Sequence, residues 1–206
     1  MHIEILSDKQ TPLLPFVSQF KRSFYLVGGT AIALHIGHRK SIDFDLFSPS
    51  KLNKANIKQA VSSAKFNKRL IGEDVDQIHF VLNDVKVTFF NYPYIVPHLE
   101  KFKNIITMPS LISLAAMKAF ALGRRAKWKD YIDLYFILKY HFSLREITEE
   151  TNKIFDQLFS EKLFREQLTI HKDIDFTEKV EFLPGFEVDE NEVKAFLIDV
   201  ALKGFG

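Results

Sequence analysis

The sequence predicts an α/β chain, α+β in its layout: a mixed-sheet core over residues 1–108, then a C-terminal helical bundle over residues 109–206. Three observations predict it. Short apolar or alternating runs bounded by turn residues recur through the first half, as strands do. Helix-period runs separate them. From Pro109 onward the runs are helical.

The elements follow in order. Residues 12–21 carry a weak helical pattern. "FYLVG", residues 24–28, is an apolar run stopped by glycine and reads as a buried strand. Thr30 stands where it can cap the next helix, "AIALHIGH". "SIDFDLFS" alternates, with Ile42, Phe44 and Leu46 on one face and Asp43 and Asp45 on the other. "KLNKANIKQAVSSA" has the pattern of an amphipathic helix. "DQIHFVLNDVKVTFFNYPY" reads as two strands about an Asn83–Asp84 turn, ended by Pro93. "PSLISLAAMKAFALG" is a helix stopped at Gly123, and "KDYIDLYFILKY" is a second. "SLREITEETNKIF" and "NEVKAFLIDVALK" are two more, and residues 170–189 read as irregular.

Bulk properties narrow the function classes. A chain of 206 residues suits one domain, or a small core with an appendage. Its 21 phenylalanines predict an aromatic core. A net charge of +2 is too mild to announce nucleic-acid binding by itself. The absence of cysteine excludes disulfides and thiolate metal sites, and it fits a reducing compartment. The first ten residues lack the apolar core of a signal peptide, and no apolar run is long enough to span a bilayer. A cytoplasmic protein with no membrane partner is expected.

Two motifs lie close together. Gly28–Gly29–Thr30 stands at a strand-to-helix turn, where glycine permits positive φ and close approach of a ligand. The N–H groups of a helix start favour an anion such as phosphate. A tight turn with a threonine cap would look the same. Asp43 and Asp45 share one strand face and repel unless cations or donors sit between them. Mg²⁺ takes one or two carboxylates and completes its shell with water and phosphate oxygens. A solvated strand face would show the same alternation. Phosphate donors beside a paired carboxylate are what nucleoside-triphosphate chemistry needs.

"FYLVGGTAIALHIGHRKSIDFDLFS" resembles the glycine-glycine/serine and Asp-x-Asp signature of the DNA polymerase β-like nucleotidyltransferase superfamily. With "VKVTFFNYPY" and "SLAAMKAFALGRRAKWKDYIDLYFIL" it resembles in particular the AbiEii/AbiGii toxin family of abortive-infection and type IV toxin–antitoxin systems. The likeness runs from about residue 24 to residue 138. It implies a nucleotidyltransferase-like core and Mg²⁺-dependent transfer of a nucleotidyl group from an NTP. The acceptor it implies is an RNA, the tRNA acceptor end included, or a protein hydroxyl, and a toxin role brings a cognate antitoxin. Asp43 and Asp45 would hold the metal. Gly28, Gly29 and Thr30 would cradle phosphate, with Arg124 beside them in nucleotide binding.

Lys118 is the only charged residue between positions 111 and 122. The resemblance makes it a triphosphate-binding lysine; a lysine with its stem on the core is the plainer reading. Asp130 and Asp133 share a helical face, and the resemblance makes them part of the site, one of them orienting Lys118 or completing the acid set. Asp130 alone reads equally well as a helix cap. Trp128 among Arg124, Arg125, Lys127 and Lys129 suits either a nucleic-acid grip or a solvated loop with one anchor. His35 and His38 share a helical face and show no metal-protease spacing.

One departure stands out. The superfamily pattern places a third carboxylate near Thr88, and threonine is neither a charged ligand nor a strong base. Glu73, Asp74 and Asp84 are the substitutes at hand. A non-catalytic nucleotide-binding or interaction module with a degenerate site is the alternative function.

Overall fold

The computed structural model describes residues 1–122, 126–172 and 174–203. The chain divides into two compact units, Met1–Ser110 and Leu111–Gly206.

The first unit is built on a seven-stranded mixed sheet. Its elements are α1 (Leu14–Ser18), β1 (Tyr25–Val27), α2 (Gly28–Ile36), β2 (Phe44–Ser48), α3 (Lys54–Ser63), β3 (Lys68–Glu73), β4 (Gln77–Leu82), β5 (Val85–Asn91), β6 (Glu100–Phe102) and β7 (Ile106–Met108). Across the sheet the order is β3-β4-β5-β2-β1-β7-β6. The central strand β2 runs antiparallel to β1 and parallel to β5. Burial explains why β1 and β2 lie centrally: Tyr25, Leu26, Val27, Phe44 and Leu46 are almost wholly covered. Phe16, Phe20, Phe24 and Phe89 meet edge to face behind the sheet, which is where part of the phenylalanine excess goes.

Details of the expected elements change. Ile42 lies outside β2 and is 52% exposed, so the alternation begins only at Phe44. Helix α2 ends at Ile36, and Gly37 closes it in the left-handed conformation with φ +77°. His38 therefore lies beyond the helix and shares no helical face with His35. The β4–β5 hairpin turns through Asn83 and Asp84, both at positive φ, as a two-residue hairpin requires. Strands β3, β6 and β7 were not legible as patterns. β3 is exposed along nearly its whole length, so nothing forces its side chains to alternate. β6 and β7 have three residues each.

The second unit is helical: α4 (Leu111–Leu122), α5 (Trp128–Tyr140), α6 (Leu144–Phe155), α7 (Glu161–Thr169) and α8 (Glu190–Leu202). α4 packs on α5, α6 and α7, and α8 packs on α5 and α7. Phe120 stacks on Phe155 with ring centroids 3.9 Å apart. Ser143 and Glu146 form a reciprocal capping box at the start of α6. α7, capped by Ser160, was not expected. Among the described residues no helix is long and apolar enough to cross a membrane.

Candidate active site

Strand β1 enters α2 through Gly28, whose φ of +72° is the left-handed region that favours glycine. A Cβ placed on Gly28 would lie 2.4 Å from Asp45 Oδ2. The first turn of α2 and the second aspartate are thus in direct apposition, and only glycine leaves room between them. Gly28, Gly29 and Thr30 belong to that first turn, whose N–H groups have no carbonyl partner within the helix.

Thr30 does not cap α2: the cap position is Val27, with no side-chain bond. Thr30 is buried; its hydroxyl donates to the Asp43 carbonyl and, 2.8 Å from Ser41 Oγ, accepts from that hydroxyl. The Gln10 amide, wholly buried, donates to the same Asp43 carbonyl at 3.3 Å. These bonds fix the main chain that carries Asp43. Phe44 is fully buried; Asp45, within β2, and Asp43, just before the strand begins, are both half-exposed.

Two residues near Gly29 and Asp45 were not singled out by the sequence. Arg39 is 2% exposed, and its Nη2 lies 2.5 Å from where a Cβ on Gly29 would be. Its Nη1 donates to the Lys40 carbonyl at 3.0 Å. A guanidinium under the first turn of a helix adds to the positive end of the helix dipole. The second is His79. Thr88 stands in register with Asp45 on one side and with His79 on the other. His79 Nδ1 and Thr88 Oγ1 are 3.1 Å apart. Burial lowers the His79 pKa and Lys86 reinforces this, against the opposing pull of Asp45 and Asp74. No spacing rule points to His79, because its neighbours come from two other strands.

The three substitute acids are engaged elsewhere. Glu73 pairs with Lys58 at 2.8 Å and Lys54 at 3.7 Å. Asp74 accepts from the backbone of Asp76 and Gln77 and closes the β3–β4 turn. Asp84 pairs with Lys9 at 2.7 Å. Among the described residues no group of three or more histidine and carboxylate side chains converges on a metal position. The carboxylates whose chemistry suits Mg²⁺ are those of half-exposed Asp43 and Asp45, two residues apart, with Asp45 Oδ2 against Gly28.

In the helical unit, Lys118 is 5% exposed and pairs with Asp130 Oδ1 at 2.6 Å and Asp133 Oδ2 at 3.0 Å. Its ammonium is held rather than snorkelling. Asp130 does not cap α5, whose cap position is Lys127; its carboxylate goes to Lys118 instead. Trp128 is 9% exposed and packs against Phe176 at 5.1 Å, so it serves as an anchor. Lys127 and Lys129 both pair with Glu178. Burial alone would raise the Glu178 pKa, but the two lysines outweigh it and hold the carboxyl low. Arg124, Arg125 and the Gly123 helix stop lie outside the described residues.

A family model described as nucleotidyl transferase AbiEii toxin, type IV TA system, matches residues 16–201. The chain belongs to the AbiEii family. The match runs further at both ends than the motif resemblance, and it takes in the helices after residue 138. As an AbiEii member the chain is a nucleotidyltransferase of the toxin type. It is 32% identical over 175 residues to an uncharacterized protein of Aquifex aeolicus, covering 82% of this chain and 77% of that one. Its fold is shared with MenT4, a nucleotidyltransferase toxin of Mycobacterium tuberculosis, at a TM-score of 0.63 and 13% identity over 93% of this chain and 81% of that one. A Helicobacter pylori protein described as a candidate nucleotidyltransferase aligns at a TM-score of 0.62 and 15% identity, over 94% and 92% of the two chains.

Proposed function

We propose that this AbiEii-family chain transfers a nucleotidyl group from an NTP to an RNA, the tRNA acceptor end included, or to a protein hydroxyl, with Mg²⁺ held by Asp43 and Asp45. In the cell it would act as the toxin of a type IV pair, held in check by a cognate antitoxin. The observation that carries the reading is the apposition of the α2 first turn with Asp45, which leaves no room for a Cβ at Gly28.

In the transfer, the acceptor oxygen attacks the α-phosphorus, the bond to the bridging oxygen breaks and pyrophosphate leaves. When bound, Mg²⁺ supplies charge to the leaving phosphates and the attacking oxygen. The N–H groups of Gly28, Gly29 and Thr30 bind phosphate oxygens, and Arg39 strengthens the field there. The acceptor proton needs a base, and two groups on this face can take it: Asp45, and His79 in its neutral form. Motif resemblance supports a role for Lys118 toward the triphosphate, oriented by Asp130 and Asp133. The geometry of the helical unit supports a structural role for the same three residues.

A second reading, nucleotide binding without turnover, is favoured by one observation: Thr88 occupies the register position of the third acid. Label transfer from each α-labelled NTP in cell extract, with Mg²⁺ or with EDTA, separates the two. Label that requires Mg²⁺ and vanishes in Asp45→Ala supports transfer. NTP binding with no labelled product from any NTP supports the binding module and removes the catalytic roles.

A further inference from the structure

We propose that the first unit carries a second binding site for a nucleoside monophosphate unit, free or within an RNA strand, at the end of β1 and β2 away from Gly28 and Asp45. β1 and β2 are antiparallel, so Val27 pairs with Asp45 at one end while Tyr25 pairs with Phe47 at the other. At that second end a cavity of about 500 Å³ opens, with Tyr25, Ser48 and Thr107 in its wall. A ligand of that size fits a cavity of this volume.

The charge of the lining is one-sided. Lys21, Arg22 and Lys51 contribute to it, and no aspartate or glutamate does. In a chain with almost balanced charge, a concave wall bearing three cations and no acid selects an anion. Aromatic rings adjoin the cations: buried Tyr25 and half-buried His98 both line the cavity and stack with ring centroids 4.2 Å apart at 13°. Cations beside an aromatic stack suit a phosphate joined to a planar base.

An independent observation points to a ligand. Tyr25 is 1% exposed, and its hydroxyl has no hydrogen-bond partner among the described residues. Buried polar groups are nearly always paired, so such a group calls for an explanation. Tyr25 lines the cavity, and a ligand that reaches its hydroxyl would supply the missing partner. The cavity also adjoins a hollow of about 320 Å³ that shares Gln19 and Asn56 with it, which gives space for a flanking nucleotide.

The test uses the full chain and needs no turnover, so it stands or falls apart from the transfer reaction. AMP is titrated by calorimetry and a labelled octaribonucleotide by anisotropy, in wild type and in Asp45→Ala. Saturable binding of at least one probe, unchanged by Asp45→Ala, is expected. Arg22→Glu with Lys51→Glu should weaken it about tenfold or more. Lys153→Glu with Lys162→Glu, the same charge change on the helical unit, should leave it unaltered. Tyr25→Phe should weaken binding about threefold while melting no lower than wild type, because it removes a buried unpaired hydroxyl. Binding of AMP alone assigns a free nucleotide; tighter binding of the octamer assigns a strand. Binding of neither probe, equal weakening by both charge pairs, or wild-type binding by Tyr25→Phe overturns the proposal.

Discussion

Replacing Gly28 by alanine tests the geometry on which the candidate active site rests. The substitution has two separable costs. The first is backbone strain: φ is +72° here, and an L-residue held in the left-handed region costs about 1–2 kcal/mol. The second is the contact. The new Cβ would lie 2.4 Å from Asp45 Oδ2, whereas ordinary contacts begin at 3.4 Å, so the carboxylate must withdraw by 3.4 − 2.4 = 1.0 Å. Asp45 is half-exposed and its side chain can rotate, so this costs little stability. It does move a proposed metal ligand, and a misplacement of about 1 Å at a reacting centre costs roughly 100-fold in rate. Gly185→Ala provides the control, because φ is +87° there and nothing lies within 4 Å of its Cβ. Thermal melts and label transfer from an α-labelled NTP should show similar destabilisation in both variants and a large loss of transfer in Gly28→Ala alone. Gly28→Ala protein that transfers label at the Gly185→Ala rate would refute the placement of Asp45 against the α2 turn.

Lys118→Met leaves Asp130 and Asp133 buried without the cation between them, and should cost about 3–5 kcal/mol in urea denaturation. Loss of label transfer without that destabilisation would instead favour a role toward substrate. Ser143→Ala removes one arm of the α6 capping box and should cost about 1 kcal/mol, read as a lower urea midpoint with an unchanged slope. His79 has a pKa below the ordinary histidine value of 6.5, so on acidification the unfolded chain takes up this proton before the folded one. Its contribution to stability is therefore present in full above pH 6.5 and is lost as pH falls below it. His141 and His171 are shifted the same way, by burial first, so the check is a comparison. Between pH 7.5 and pH 5.5 the stability of His79→Gln should fall less than that of wild type.

Legibility in the sequence followed burial. The β1 and β2 cores are covered, so their runs had to be apolar or alternate, and both were readable. β3 is exposed and carries no such constraint, which is why "KRLIGE" gave no strand signal. The glycine and aspartate motifs were readable for a different reason: both lie on adjoining elements only 15 residues apart, so one local window holds them. Thr88 was readable as a departure because the strand pattern of "VKVTFF" fixes which residue faces the aspartates.

The sequence alone therefore determined the family and the α/β-then-helical layout and nominated the candidate metal pair, since each depends on short-range order or on a motif. Tertiary structure decided what each polar side chain spends its bonds on. Thr30 turned out to hold the Asp43 main chain rather than cap a helix, and Asp130 to hold Lys118 rather than cap α5. It also brought Arg39 under Gly29, set His79 beside Thr88 and left the Tyr25 hydroxyl buried without a partner. The physical reason is that hydrogen bonds and ion pairs act over about 3 Å, a distance set by strand register and helix packing and not by separation along the chain.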